Sequence, residues 1–221
     1  MVIGMVIFPG LTQLDLTGPY EVFGRLPNTE VLLIAENFSS VKSEHGLLFT
    51  PDATFENARQ VDIIFVPGGP GIFGAMQNEN LLHFLKQQSV NAQYITSVCT
   101  GALVLAAAGL LNGYKATTHW LSLNLLRLFD IDVHDERVVV DRNRITGGGV
   151  TAGIDFGLTV AAELFGEAKA KEIQLMMEYN PQPPFNSGSP KTADSEIVNS
   201  VIESRKEIQQ ERVEMIKKLF L

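Results

Sequence analysis

The stretch YITSVCTGALVLAAAGLL, residues 94–111, contains Cys99, the only cysteine of the chain. The β-branched run Tyr94–Val98 leads into the cysteine, and an apolar segment rich in alanine and leucine follows it. This order predicts a buried strand, a sharp turn and a helix, which is the arrangement of a nucleophile elbow. Free cysteine is also among the most buried residue types in ordinary cores. The stretch alone leaves Cys99 open between a core residue and a nucleophile.

The strand-then-helix pattern recurs along the chain. Short β-branched runs, which are typical of buried parallel strands, occur at Val2–Phe8, Val31–Ala35, Ile63–Val66 and Tyr94–Val98, and a weaker pair at Val138–Val140 and Arg144–Thr146. Helical patterns alternate with them at Leu14–Phe23, Leu81–Ser89, Thr100–Ala108, Leu121–Phe129 and Ala152–Phe165. The alternation predicts an α/β fold, with a mostly parallel sheet covered by helices on both faces.

The composition argues against some classes of binding partner and indicates the cellular compartment. A net charge of −8 over 221 residues argues against nucleic acid or an anionic membrane surface as partner. No apolar stretch approaches the roughly 20 residues that span a bilayer, and the opening MVIGMVIFPG is typical of a first strand rather than a secretory signal. A single cysteine and no cluster with zinc-site spacing predict neither an intrachain disulfide nor a metal site. We expect a cytoplasmic protein.

The composition changes near residue 180. We expect an α/β domain over residues 1–179, a Pro/Ser-rich linker over 180–194 and an amphipathic helix over 195–221. Nothing in this C-terminal part has the pattern of a DNA-reading helix-turn-helix. The helix packs either on its own domain or on a second subunit, and the sequence leaves both arrangements open.

Three unusual segments follow predicted strands. They are FPGLTQLDLTGP after the first strand, PGGPGIFG after Val66, and CTG after Val98. Parallel sheets bind ligands outside the carboxyl ends of their strands, so the three segments predict one active site at a common rim. The backbone N–H groups of PGGPGIFG, residues 67–74, suit either an oxyanion-type nest or a plain tight turn.

A thiol nucleophile needs a partner for proton transfer. Asp15 stands between Leu14 and Leu16, where a carboxylate is either a helix cap or a desolvated acid. Beside Cys99, we expect a protonated Asp15 to donate to a thiolate, with the acid's pKa raised by burial and by the sulfur. The start of the following helix is expected to favour the thiolate as well.

Histidine and a second acid are the alternatives to Asp15. His119, in KATTHWLS, is the best histidine candidate, open between a site residue and a hydrogen-bonding residue at a helix start beside Trp120. For Glu21, a role as a second acid and a surface role both stay open. The remaining histidines are assigned surface or structural roles: His45, His83 and His134.

Four ordered motifs, VPGGPG, CTGALVLAAAGLL, ATTHW and GGGVTAGIDFGL, resemble the ThiJ/PfpI superfamily. The resemblance covers about Val2 to Phe165 and implies a flavodoxin-like three-layer sandwich related to class I glutamine amidotransferase domains. Within that superfamily, TQLDLTGPYEVF and MMEYNPQPPFNSGSP are most similar to isocyanide hydratases. That similarity implies addition of water to an isocyanide to give an N-substituted formamide, without a cofactor or metal, by a homodimer.

The resemblance also implies roles for individual residues. Cys99 matches the nucleophile that forms a covalent thioimidate, Asp15 the acid/base, and Thr100 the neighbour that positions the acid or substrate. Gly68 and Gly69 match the glycine loop that offers a backbone donor near the sulfur. His119 is placed with them as a residue that binds substrate or an oxyanion.

Two departures from related groups leave alternatives open. Thr100 stands where protease-type members have histidine, and Ser97 replaces the first glycine of the glutamine amidotransferase elbow. The cysteine and ATTHW motifs are shared with sensor domains of AraC-type regulators. A small-molecule or redox sensor that oxidises Cys99 to sulfenic acid therefore stays open. So does a glyoxalase-like α-oxoaldehyde enzyme, which needs a histidine near the thiol.

Overall fold

The computed structural model describes residues 1–219, so 220–221 of the expected C-terminal helix lie outside the described residues. The strands are β1 (Val2–Val6), β2 (Glu30–Ala35), β3 (Val41–Lys42), β4 (Leu48–Phe49), β5 (Ala53–Thr54), β6 (Ile63–Val66), β7 (Tyr94–Val98), β8 (Lys115–Ala116), β9 (Asp132–Val133), β10 (Val138–Asp141) and β11 (Arg144–Gly147). The α-helices are α1 (Gln13–Phe23), α2 (Ile72–Gln77), α3 (Glu79–Ser89), α4 (Gly101–Ala107), α5 (Leu123–Leu126), α6 (Ala152–Phe165), α7 (Glu167–Met176), α8 (Ser195–Ser204) and α9 (Lys206–Lys218), with a 3-10 turn at Trp120–Ser122.

The central sheet has seven strands in the order β10-β11-β7-β6-β1-β2-β5. Every neighbouring pair in it is parallel except β10 with β11, the two weaker runs that the sequence paired. The predicted mostly parallel α/β sheet is therefore confirmed. Because β1, β6 and β7 are adjacent, the segments that follow them emerge at the same edge of the sheet.

The helices form two groups with the sheet between them. Helix α1 packs on α6, which also contacts α7, whereas α2, α3 and α4 contact one another and the strands β6 and β7. Three phenylalanines join the first group to the sheet: Phe23 and Phe156 each contact Phe65 of β6, with ring centroids 6.2 and 5.5 Å apart. These rings are fully buried, and they fix α1, which carries Asp15, against the sheet.

Predicted elements and observed elements differ most where helices are short. A helix is predicted over 121–129, but the structure has only a 3-10 turn followed by the short helix α5. The strand predicted over Val2–Phe8 ends at Val6. The hairpin of β3 and β4 surrounds His45 and β9 ends beside His134, two histidines whose segments the sequence predicts as hairpin or strand. The small strands β5 and β8 and the helices α2 and α7 have no counterpart in the sequence-based prediction. The segment 195–219 forms two helices, because the backbone at Arg205 leaves the helical region between α8 and α9.

The C-terminal segment returns to the domain. Residues 177–194 contain turns and bends without a helix or strand. Ile216 of α9 is completely buried in the main core, and Val213 and Met215 pack against that core. Helix α9 is therefore anchored on the α/β body of its own chain. Among residues 1–219, the helices are all too short or too polar to cross a membrane.

Candidate active site

Cys99 occupies a strained turn between β7 and α4. Its φ is +53°, a conformation that residues other than glycine rarely adopt. The Cys99 N–H donates to the carbonyls of Gly147 and Gly148 at 3.0 and 2.8 Å, which holds the turn in place. A Cβ on Gly101 would lie 2.2 Å from the carbonyl oxygen of Val66, so the first helical residue has to be glycine. The predicted strand, turn and helix are confirmed.

Asp15 on α1 is brought directly against Cys99. The carboxyl group is fully buried, and its Oδ2 accepts a hydrogen bond of 3.0 Å from the N–H of Gly68. Its Oδ1 has no hydrogen-bond partner among residues 1–219. The Cys99 thiol forms a side-chain hydrogen bond with the carboxyl group. Asp15 lies inside the first turn, and Thr12 occupies the capping position. The structure therefore favours the desolvated acid over the helix cap.

Burial raises the pKa values of both groups in this pair. The pKa of Asp15 rises from its ordinary 3.8 to about 7, chiefly because burial disfavours the carboxylate. The hydrogen bonds from Cys99 and Gly68 offset part of this rise. Burial also holds the pKa of the Cys99 thiol well above its usual range, and the charge of Asp15 adds to it. The pair therefore retains at least one proton near neutral pH.

The expectation that the helix start lowers the thiol pKa is corrected by this environment. The backbone N–H groups of Thr100 and Val150 do lower the pKa of Cys99, but desolvation outweighs them. Val150 lies in the GGGVTAG motif and was not singled out from the sequence. Only the pairing of β11 with β7, which brings residues 147–150 beside the elbow, identifies it.

The glycine loop has a different role from the expected one. The Gly68 N–H donates to Asp15, and the Gly69 N–H donates to Thr100 Oγ1 at 3.0 Å, so both predicted oxyanion donors have acceptors within the protein. Gly69 has φ of +129°, and a Cβ on Gly68 would lie 2.5 Å from the Thr100 nitrogen. The loop therefore positions Asp15 and Thr100. The donors near the sulfur are the backbone N–H groups of Thr100 and Val150.

His119 lines the same cavity as Cys99. Its Nδ1 accepts a hydrogen bond of 3.3 Å from the N–H of Leu121, and its ring stacks on Trp120 with centroids 6.0 Å apart. Burial lowers its pKa to about 4, and the charges of Arg212 and Arg205 lower it further. His119 is thus neutral near pH 7, and the Nδ1 acceptor leaves Nε2 as its donor. His119 caps the 3-10 turn at Trp120–Ser122, which agrees with the interpretation of a hydrogen-bonding residue at a helix start.

The other acid and histidine candidates lie away from the sulfur, except His45. Glu21 is exposed and pairs with Arg25 at 2.6 Å. His83 is exposed, and His134 lies beside Asp132 at 3.1 Å. His45 has 86% of its side chain exposed but borders the cavity, next to Glu44.

A cavity of about 270 Å³ opens over Cys99. One wall consists of the elbow, the glycine loop and His119. The opposite wall comes from the C-terminal segment, which was not expected to contribute; its lining residues are Arg205, Ile208, Gln209 and Arg212. The cavity is thus bordered by the Cys99 thiol, behind which Asp15 is buried, and by two arginine residues. No group of three or more His, Cys, Asp or Glu side chains within 1–219 is arranged to hold a metal ion.

The α/β fold with a cysteine at a strand-to-helix elbow defines a class of proteins. Comparison with known proteins identifies the family within that class. The model of the DJ-1/PfpI family matches residues 1–163. The chain is 50% identical to isonitrile hydratase of Pseudomonas putida over 197 residues, which are 89% of this chain and 86% of that protein. A ThiJ/PfpI family protein from Pseudomonas syringae has a crystal structure with a TM-score of 0.95 and 43% identity, covering 97% of this chain and 90% of that one.

The chain therefore belongs to the DJ-1/PfpI family, and the ThiJ/PfpI resemblance is confirmed. The HTH-type transcriptional regulator GbdR of Pseudomonas aeruginosa is also similar, at 31% identity over 185 residues. Those residues are 80% of this chain but 50% of the regulator.

Proposed function

We propose that this protein is an isocyanide hydratase, which adds water to R–N≡C to give the formamide R–NH–CHO. The observation that carries the proposal is the buried, hydrogen-bonded pair of Asp15 and Cys99, whose thiol borders a cavity open to a small molecule. The 50% identity to isonitrile hydratase of Pseudomonas putida supports the same reaction. An isocyanide carbon must accept a nucleophile and a proton at one atom, which this pair supplies.

In the first step, the sulfur of Cys99 attacks the terminal carbon, and Asp15 delivers the proton of the pair to that same carbon. The C–S and C–H bonds form as the C–N triple bond becomes a double bond, with one π pair moving to nitrogen, which gives the thioimidate R–N=CH–S–Cys99. The step has the same outcome whether the proton starts on the sulfur or on the carboxylate, because the pair contains one proton in both arrangements. The raised pKa values of both groups keep this proton in the pair near pH 7.

In the second step, ionised Asp15 takes a proton from water, and the hydroxide so formed attacks the thioimidate carbon. The tetrahedral adduct expels the sulfur, while the remaining hydroxyl proton passes to nitrogen. The product is the formamide, and the pair regains its single proton. The backbone N–H groups of Thr100 and Val150, which face the sulfur, stabilise the departing thiolate. Thr100 also accepts from Gly69 and so keeps the glycine loop against Asp15.

The proposal is tested with cyclohexyl isocyanide, by following the formyl proton of the product by NMR. We expect wild-type turnover and none above background for Cys99→Ala. The matched control for the acid variant Asp15→Asn is Asp130→Asn, since Asp130 is exposed and remote from the cavity. Product from Cys99→Ala at the wild-type rate would overturn the nucleophile. Turnover of methylglyoxal but not of the isocyanide would favour the glyoxalase-like enzyme, and thiol oxidation without turnover of either would favour a sensor.

We further propose the organisation in which residues 1–179 form the catalytic domain, 180–194 the linker, and the C-terminal helices a cover that also meets a second subunit. Helix α8 has no buried residue and exposes an apolar face formed by Ile197, Val201 and Ile202. A homodimer would cover this face. Light scattering on the intact protein tests it: a mass of twice 24.2 kDa is expected, and a monomer at micromolar concentration contradicts it.

A cytoplasmic location and independence from cofactors complete the proposal. The single cysteine is free and serves here as the nucleophile, so it has to stay reduced, as the cytoplasm ensures. Both steps use only the thiol, the carboxyl group and water. Full activity after dialysis against a metal chelator is therefore expected.

A further inference from the structure

Helix α9 places a buried guanidinium group in the wall of the cavity opposite the elbow. Arg212 is only 7% exposed, and its Nε has no hydrogen-bond partner among the described residues. One turn earlier on the helix, Oε1 of Gln209 is likewise buried without a partner. Both residues line the same cavity as Cys99. Two residues of one helix that line the cavity therefore each keep a buried polar atom without a partner.

An unpaired buried charge is costly, so its presence indicates a ligand of opposite charge. Within residues 1–219, neither Arg212 nor Arg205 forms an ion pair, and the guanidinium of Arg212 lies over the ring of Phe73, at 5.5 Å from its centroid. Glu44, the carboxylate that borders the cavity, instead accepts a hydrogen bond of 2.6 Å from Thr12. His119 is neutral and adds no charge. The C-terminal wall therefore carries positive charge that an anionic group of a ligand can neutralise.

Arg212 and Cys99 line the same cavity, and the two groups interact electrostatically. Burial lowers the pKa of Arg212, but the sulfur of Cys99 raises it. Because both residues line one cavity of about 270 Å³, one small molecule can reach both groups, with its reactive carbon at the sulfur and an anion at the arginine.

We propose that Arg212, with Gln209 and Arg205, forms a carboxylate subsite, and that the substrates are isocyanides that carry a carboxylate group. A planar guanidinium suits a carboxylate because it donates two parallel hydrogen bonds. The carboxamide of Gln209 offers an acceptor for the N–H that forms in the product. The subsite belongs to α9, beyond residues 1–163 that match the family model, and its substrate assignment rests on the proposed hydratase function.

Kinetics on a matched pair of substrates test this assignment. Isocyanoacetate carries the carboxylate, and its methyl ester is the neutral equivalent. We expect wild-type kcat/KM to be about tenfold or more higher for isocyanoacetate, since a charged group that binds a buried partner contributes strongly to affinity. Arg212→Gln should lower kcat/KM for isocyanoacetate by about 30-fold or more, mainly through KM, and change the ester by less than about threefold.

The control is Lys217→Gln, which removes the same charge from the same helix at an exposed position paired with Glu214. This variant should behave as wild type on both substrates. If Arg212→Gln loses kcat/KM equally on acid and ester, the arginine serves the thiol or the packing of α9, and the carboxylate subsite is wrong.

A binding measurement separates the subsite from the hydratase reaction. N-formylglycine and its methyl ester are titrated by calorimetry, with the fluorescence of Trp120, the only tryptophan, as a second signal. The acid should bind at least about tenfold more tightly than the ester, and Arg212→Gln should abolish the difference. Equal binding of acid and ester overturns the subsite even when isocyanides are hydrated. Selective binding of the acid without turnover of any isocyanide supports the subsite and overturns the hydratase assignment.

Discussion

The two walls of the catalytic cavity are built in different ways. The elbow wall is formed at the carboxyl ends of β1, β6 and β7, and backbone hydrogen bonds fix Asp15, Cys99 and the glycine loop. The C-terminal wall is one face of α9, held by apolar side chains such as Ile216, with polar groups that lack partners. Hydrogen bonds within the chain hold the reacting groups of the first wall in place, whereas Arg212 in the second wall is a buried charge without an ion-pair partner among residues 1–219. We infer that the elbow wall performs the chemistry and the C-terminal wall selects the substrate.

Removing the sulfur is the strongest test of the elbow wall. Cys99→Ala should reduce isocyanide hydration to the uncatalysed rate, a loss of about a thousandfold or more, because the covalent step then has no nucleophile. Binding of N-formylglycine, which depends on the other wall, should be retained. The formyl-proton assay and calorimetry measure the two effects. A variant that loses both in parallel would show that the walls are not separable.

Removing the acid should have the next largest effect. Asp15→Asn keeps an oxygen for the Gly68 N–H but cannot donate or accept the catalytic proton, so kcat should fall by about 10²–10⁴-fold. Steady-state kinetics beside the Asp130→Asn control give the comparison. A kcat within a factor of about three of wild type would remove Asp15 from the proton transfer.

The same variant should be more stable than the wild type at alkaline pH. The folded state raises the pKa of Asp15 above its unfolded value, so the folded protein binds the proton more tightly and loses stability as pH rises from 3.8 through about 7. A rise of about three pKa units corresponds to at most about 4 kcal/mol of unfolding free energy.

Denaturant unfolding of the wild type and Asp15→Asn at pH 4 and pH 8 measures this difference. The variant should gain stability at pH 8 and match the wild type near pH 4. An equal difference at both values of pH would contradict the raised pKa.

Loosening α9 should affect selectivity more than chemistry. Ile216→Ala removes a completely buried side chain and should destabilise the protein by about 2–4 kcal/mol. Where the variant remains folded, we expect the preference for isocyanoacetate over its ester to shrink while kcat on the ester persists. Leu175→Ala, at a residue 81% exposed on α7, is the control. Equal loss of kcat on both substrates would place α9 in the chemistry.

The two walls also differ in how far the sequence predicts them. The strand, turn and helix around Cys99 could be recognised because the pattern is local and only glycine fits at Gly101. Asp15 could be recognised because a carboxylate between leucines is unusual. The resemblance then identified the family, and the mostly parallel sheet followed from the α/β alternation.

The remaining features depend on contacts between distant segments. The acceptors of the Gly68 and Gly69 amides are set by how α1 and the elbow pack on the loop, so the expected oxyanion role was assigned to the wrong donors. Desolvation of Cys99, which reverses the expected low thiol pKa, comes from the whole cavity. Arg212 looks like an ordinary charge on an amphipathic helix. Only the break at Arg205 and the burial of Ile216 direct it inward.

The central claim is that the proton-sharing pair adds across the isocyanide carbon, and intact-mass spectrometry after rapid mixing tests it most directly. Because the chain has one cysteine, an adduct on sulfur has a single possible site. Wild-type protein quenched early should gain the full mass of one isocyanide at Cys99, since hydrogen and sulfur add without a leaving group, and the adduct should decay as formamide appears. Formamide produced at the full rate with no adduct at any time would contradict the account.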